Sequence, residues 1–156
     1  MKNTIFLILF YSSFLFSQTT AKVIAISDGD TITVLLDDKT SKKLRLAEVD
    51  CPERGQPFGK NAKQFTSDQI FGKQIKFIET DKDRYGRSIA KVYYDKEKYL
   101  SAELIKAGLG WWYFYYSKDK SLGEFEEQAK RNKIGLWQDK NAVSPWEYRK
   151  IERERK

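Results

Sequence analysis

The chain has 156 residues, 29 Lys+Arg against 22 Asp+Glu for a formal charge of +7, one Cys and no His. Without imidazole there is no Ser-His-Asp or Cys-His triad, no His proton shuttle and no His-ligated zinc or haem; a single Cys excludes an internal disulfide and a thiolate metal cluster. Catalysis, if any, must run on carboxylates, guanidinium groups, hydroxyls and a hard, oxygen-preferring metal ion, in a chain whose 40% hydrophobic and 33% charged residues are those of a soluble globular protein.

The chain begins with Lys2 and an apolar and small-residue run from Ile5 to Phe16, ending at Ser17. This reads as a secretory signal peptide. Its 12 residues fall short of the roughly 20 that span a bilayer, so export to the medium or a periplasm is expected, with no stable membrane insertion. Cleavage is expected after Ser17 or Ala21. Taken at Ala21, residues 1–21 are signal, 22–147 form one folded domain, and 148–156 are a solvated tail of mixed charge. The removed segment carries one Lys and no acid, which lowers the formal charge from +7 to +6. An exported basic protein suits a polyanionic partner, although an excess of Lys and Arg is also common on ordinary surfaces.

Period-2 alternation between turn signals predicts five strands in the first half: Val23 to Ser27, Thr31 to Leu36, Lys43 to Val49, Gln74 to Glu79 and Ser88 to Tyr94. In the third, Leu44 and Leu46 point inward and Arg45 to the opposite face. Between the third and fourth, Phe58, Ala62 and Phe65 approach helical spacing, with Gly72 as the stop. The second half reads as helical. Ser101 is the expected N-cap of a helix that stops at Gly108, and Ser121 with Glu124 has capping-box spacing ahead of Leu122, Phe125 and Ala129. Five strands with an inserted helix, then helices, predict a partly open five-stranded Greek-key barrel of the OB type.

Three segments concentrate the chemistry. Asp28-Gly29-Asp30-Thr31 presents two carboxylates on a tight turn, which is also a standard hairpin sequence. Arg45-Leu-Ala-Glu-Val-Asp50-Cys51-Pro52-Glu53 ends a strand with Asp50 and Glu53 on the following loop. A hydrolytic site without His needs such groups: one carboxylate can share a divalent cation with Asp30 while another takes a proton from water. Taken alone, the same acids could be ordinary surface groups at a strand end. Arg45, on the non-core face of its strand, carries a fork able to grip two phosphate oxygens. Asp81 to Arg87 is a charged turn in which Gly86 permits reversal and Arg87 starts the next strand.

The strings DGDT at 28–31, RLAEVDCPE at 45–53 and RYGR at 84–87, together with Gly108-Leu-Gly-Trp-Trp-Tyr, Gly135-Leu-Trp137 and Ser144-Pro-Trp146, resemble the staphylococcal nuclease (thermonuclease) family over positions 22 to 147. The resemblance implies an OB barrel with three helices, calcium dependence and cleavage of both DNA and RNA, single-stranded or locally unpaired, by a monomer. It implies calcium between Asp30 and Asp50, with the backbone carbonyl of Cys51 as a further ligand. The founding member has Thr at the position of Cys51; a main-chain ligand tolerates the change, and the thiol also reads as a small buried filler.

The same matching makes Glu53 the general base, or alternatively a residue that orders the loop while bulk water attacks. It makes Arg45 and Arg87 the donors that neutralise the phosphoryl oxygens, Arg87 also assisting the departing 5′ oxygen, with 3′-phosphate ends as products. Substrate contacts fall on Arg84, Tyr85 and the aromatic run Trp111 to Tyr116, where one alignment selects Phe114 and Tyr116 and another Tyr113 and Tyr115. Stacking on such rings tolerates any base, while part of the run is expected to pack beneath the terminal helix. The alternative from another class is a non-catalytic OB module that binds nucleic acid.

Overall fold

A computed structural model describes residues 18–155. The apolar run read as a signal peptide lies, up to Ser17, outside the described residues. The first strand, β1 (Thr19–Asp28), pairs antiparallel with β2 (Thr31–Leu35) through the Asp28-Gly29-Asp30 turn, and β2 pairs with β3 (Ser41–Leu46). The other edge of β1 pairs with β5 (Gln74–Lys82), which pairs with β6 (Ser88–Tyr94). A parallel pairing of β3 with β6, Leu44↔Ser88 to Leu46↔Ala90, closes these strands into the barrel. The architecture is the OB-type barrel with helices that the strand pattern predicted.

Closure explains the alternation. Ile32, Val34, Leu44, Leu46, Ile75, Phe77 and Val92 are buried inside the barrel, while residues between them face outward, as the two-residue side-chain period requires. Helix α1 (Gly59–Ile70) covers the barrel from the β1 side with Ala62, Thr66 and Ile70 buried, and ends ahead of Gly72. Helix α2 (Leu100–Lys106) buries Leu104 and Ile105 and packs on α3 (Lys120–Arg131). Among the described residues no helix is long and apolar enough to cross a membrane.

Several boundaries differ from the sequence pattern, each for a physical reason. The strand expected at Val23 to Ser27 begins at Thr19, because pairing with β5 recruits Thr19, Thr20 and Ala21 opposite Phe77, Lys76 and Ile75. The strand expected to run through Val49 stops at Leu46. Glu48 takes a left-handed φ of 66°, and a separate β4 (Val49–Asp50) pairs with β8 (Trp111–Trp112). A further short strand, β7 (Lys98–Tyr99), extends the sheet beyond β6.

Ser101 is not a cap: it lies inside α2 and its hydroxyl donates to the Ala47 carbonyl at 2.8 Å, tying the helix to the chain below it. Asp119, not Ser121, caps α3 by accepting from the Ser121 amide at 3.0 Å. The largest difference is at the C-terminus. The stretch 148–156, expected as a solvated tail, belongs through Glu154 to a helix, α4 (Pro145–Glu154). Its capping box of Ser144 and Glu147 supplies a start signal, with Pro145 at the first helical position.

Ala21 is buried within β1 and its strand neighbours are paired. A chain beginning at Lys22 is therefore expected to be less stable than one beginning at Gln18 by roughly 1–3 kcal/mol, taking about 1 kcal/mol for each lost net hydrogen bond. Urea unfolding of the two chains measures the difference.

Candidate active site

The barrel delivers two acidic turns to one mouth. Pairing of Thr31 with Arg45 across β2 and β3 sets Asp30 beside the base of the Arg45 side chain. The Asp30 carbonyl accepts from the Leu46 amide at 2.8 Å, which fixes the β1–β2 turn to the end of β3. Glycine at position 29 is required for that approach: a Cβ there would stand 2.7 Å from the Ala62 Cβ and 2.9 Å from the Cys51 Cβ.

Asp50, on β4, is almost wholly buried, its side chain 2% exposed. Arg45 reaches it through Nη2 at 2.7 Å and touches Asp30 Oδ2 with the same nitrogen at 3.2 Å. Its Nη1 donates to the carbonyls of Leu46 and Val49 at 3.0 and 2.9 Å. The guanidinium thus bridges both acidic turns. Burial opposes its charge, but Asp30 and Asp50 outweigh that and raise its pKa further.

Glu53 follows on the loop to α1. That loop is held by Gln56, whose side-chain oxygen accepts from the Glu53 amide at 3.1 Å and whose side-chain nitrogen donates to the Val143 carbonyl at 2.5 Å. Gly59 permits the tight return into α1, since a Cβ there would overlap the Glu53 carbonyl oxygen.

From the far side, the β5–β6 turn brings Arg84, Tyr85 and Arg87. Asp83 shapes this turn by accepting from the amides of Tyr85 and Arg87, each at 2.9 Å, and from Arg87 Nε at 2.6 Å. Burial opposes the charge, but these hydrogen bonds together outweigh it and hold the Asp83 carboxyl below its usual range. The Arg84 and Arg87 guanidiniums lie 4.9 and 5.7 Å from the centre of the exposed Tyr85 ring.

Asp30, Arg45, Asp50, Cys51, Glu53, Arg84, Tyr85 and Arg87 all line one cleft of about 650 Å³. A family model described as "Staphylococcal nuclease homologue" matches residues 43–139. The chain belongs to the staphylococcal nuclease family. An uncharacterized endonuclease of Haemophilus influenzae is 40% identical over 136 residues, covering 87% of this chain and 76% of its own. A micrococcal nuclease of Shigella flexneri is 38% identical over 139 residues, covering 83% of this chain and 79% of its own. Protein ParB of Escherichia coli is 33% identical over 144 residues, 86% and 81% of the two chains.

In this staphylococcal nuclease family member the aromatic run divides. Tyr113 and Tyr116, one from each of the two alignments of the sequence, line the cleft, whereas Phe114 and Tyr115 do not belong to its lining. Trp111 and Trp112 form β8 and pack elsewhere, Trp111 against Trp137 and Trp146. Tyr113 stacks on Trp146 of α4 with ring centres 5.6 Å apart and planes 7° from parallel.

Two residues of the cleft, Asp28 and Arg149, and one that supports its loop, Gln56, escaped sequence reasoning. Asp28 was weighed only as part of a turn; its Oδ1 is buried with no hydrogen-bond partner among the described residues. Gln56 gave no signal, being a single amide in a loop. Arg149, read as part of a solvated tail, donates to Glu53 Oε1 at 2.7 Å and to Asp50 Oδ2 at 2.8 Å. Partial burial opposes its charge, yet Asp50 and Glu53 raise its pKa. The capping box ahead of Trp146 was the signal that could have placed it on a helix.

Among the described residues no group of three or more His, Cys, Asp or Glu gathers as a ready-made metal cage. A cation here would be held by Asp30 and Asp50 with main-chain and solvent oxygens, an open set that suits a hard ion. The orphaned Asp28 oxygen beside them fits such an ion. So does Asp30, whose pKa is pushed up to about 7 by burial and further by the Asp28 and Asp50 charges, with Arg45 and the Cys51 amide opposing. The Cys51 thiol is buried among Gly29, Ala62 and Gly110, and burial holds it well above the usual thiol range; its amide donates to Asp30 Oδ2 at 2.7 Å.

A carboxyl raised in the folded state binds its proton more tightly there than in the unfolded chain, so it favours folding at low pH and loses that contribution as pH rises toward 7. In chelator, the stability of the wild type relative to Asp30→Asn is therefore expected to fall between about pH 4 and 7 and then level off. Thermal unfolding of both proteins across this range tests it; a flat difference would show that Arg45 keeps Asp30 ionised throughout.

Proposed function

We propose that the protein is an exported, calcium-dependent, sequence-tolerant endonuclease that hydrolyses phosphodiester bonds of DNA and RNA to 3′-phosphate ends, acting as a monomer. One observation carries the reading: in a chain of the staphylococcal nuclease family, Asp30, Asp50, Glu53, Arg45 and Arg87 line a single cleft. Relatives named endonuclease and micrococcal nuclease support it.

Asp30, Asp50 and the carbonyl oxygen of Cys51 are the proposed calcium ligands. The ion, when bound, supplies a Lewis acid that polarises a phosphate oxygen. Glu53 takes a proton from the attacking water as its oxygen bonds to phosphorus. The Gln56 contacts to the Glu53 amide and the Val143 carbonyl keep that carboxylate at the cleft. Arg45 and Arg87 hold the phosphoryl oxygens as charge develops. Their forks are oriented beforehand by Asp50 and Asp83, so little reorganisation accompanies the transition state. The bond to the 5′ oxygen breaks, Arg87 assisting its departure, and the phosphate remains on the 3′ side. Arg84 meets a neighbouring phosphate, and the faces of Tyr85, Tyr113 and Tyr116 stack on bases, which favours single-stranded or unpaired substrate.

Glu53→Gln is expected to lower kcat on the order of 10²-fold or more while leaving binding of denatured DNA intact. Chelation of calcium should abolish cleavage by the wild type. On a gel with calcium, near-normal cleavage by the variant would sink the general-base role. Wild-type protein that shifts the DNA yet leaves it whole would sink the enzyme in favour of a binding module.

Export is part of the proposal, and intact β1 pairing favours cleavage after Ser17 over Ala21. The exported protein should begin at Gln18. N-terminal sequencing that finds Met1 would overturn export with cleavage.

A further inference from the structure

Arg149 stands where a cation is wanted. Its guanidinium lies on α4, 96 positions from Glu53 and 99 from Asp50 along the chain. It donates through Nη1 to Glu53 Oε1 at 2.7 Å and through Nη2 to Asp50 Oδ2 at 2.8 Å, with a longer contact of 3.4 Å to Asp50 Oδ1. Arg45 already holds Asp50 Oδ1 at 2.7 Å. Both oxygens of the buried Asp50 are thus engaged by arginine, and one oxygen of Glu53 as well.

The charges give the arrangement its meaning. Asp30, Asp50 and Glu53, the carboxylates that Arg45 and Arg149 touch, together with Asp28 in the same cleft, bring more negative charge than Arg45 alone balances. A divalent cation is suited to neutralise that surplus, and Arg149 supplies one positive charge toward it. Nothing buries Arg149 irrevocably: its side chain is 39% exposed at the cleft, against 2% for Asp50. Its helix is held independently by the Trp146 ring against Tyr113 and by the Ser144–Glu147 capping box.

We propose that Arg149 is a displaceable counter-cation of the site: a divalent cation takes its place on Asp50 and frees the guanidinium for a phosphate of the nucleic-acid chain. The inference rests on the reading of Asp30 and Asp50 as cation ligands. It makes α4 part of the active site, with metal and Arg149 competing for one carboxylate, so that removing either partner strengthens the hold of the other.

The test needs no cleavage. Calcium is titrated into the full domain without nucleic acid, by calorimetry, for the wild type, Arg149→Gln, Arg149→Lys and Arg153→Gln. Arg153→Gln removes one charge from the same helix at a residue that lines the cleft without an ion pair to Asp50 or Glu53, and so reports the general field. Arg149→Gln should bind calcium about 5- to 10-fold more tightly than the wild type, on the scale of couplings between sites. Arg149→Lys should fall between, and Arg153→Gln should change affinity less than about 2-fold, as for a screened charge.

In calcium, Arg149→Gln should bind a phosphorothioate oligothymidylate more weakly than the wild type; in chelator the two should bind alike. Unchanged or weaker calcium binding by Arg149→Gln overturns the proposal while leaving the metal reading intact. Equal tightening by Arg153→Gln also overturns it, since a general field would then suffice. If no variant and no wild type binds calcium, the metal reading falls and the proposal with it.

Discussion

The arrangement of this protein turns on a buried carboxylate, Asp50, gripped by guanidinium groups from Arg45 on β3 and Arg149 on α4. Asp50 sits on a two-residue strand with its side chain nearly sealed from solvent. A charge in that position is tolerable only when paired, and removing one partner of such a pair typically costs about 3–5 kcal/mol. The barrel end, the acidic loop and the C-terminal helix are therefore held at one point. The chemistry proposed for the cleft uses the groups that this point collects.

The supports around it combine backbone amides with further carboxylates. The Leu46 amide fixes the Asp30 turn, Gln56 fixes the Glu53 loop, and Asp83 fixes Arg87 through two amides and its side chain. Glu48 adopts a left-handed backbone. Its carboxylate accepts from Tyr99 and Ser117 at 2.8 and 3.2 Å and pairs with Lys91 at 3.0 Å. It thereby ties the turn between β3 and β4 to β6, β7 and the aromatic segment. Strain of this kind persists only where surrounding contacts over-determine it, which is the condition under which a site keeps its geometry without ligand.

Much of the barrel was legible because strand alternation is a local signal. Leu44 and Leu46 read inward from their neighbours and are buried. Helix caps were less legible: Ser101 and Ser121 have capping chemistry, but their hydroxyls answer to the Ala47 carbonyl and the Asp119 carboxylate. The staphylococcal nuclease resemblance located Asp30, Arg45, Asp50, Glu53 and Arg87, and the fold brings all of them to one cleft. It assigned no role to Asp28, Gln56 or Arg149, whose significance depends on what stands opposite them.

The sequence by itself determined the class of barrel and the available chemistry. Period-2 patterning is a property of neighbouring residues, and the absence of His directs any catalysis to carboxylates, guanidiniums, hydroxyls and a hard cation. Tertiary structure alone decided that Ala21 belongs to a paired strand, that Tyr113 and Tyr116 face the cleft, and that the C-terminal helix delivers Arg149 to Asp50 and Glu53. These are contacts between residues as many as 99 positions apart, and no local pattern encodes them. They arise when barrel closure and helix packing bring distant charges within hydrogen-bonding distance in a place too dry to leave them unpaired.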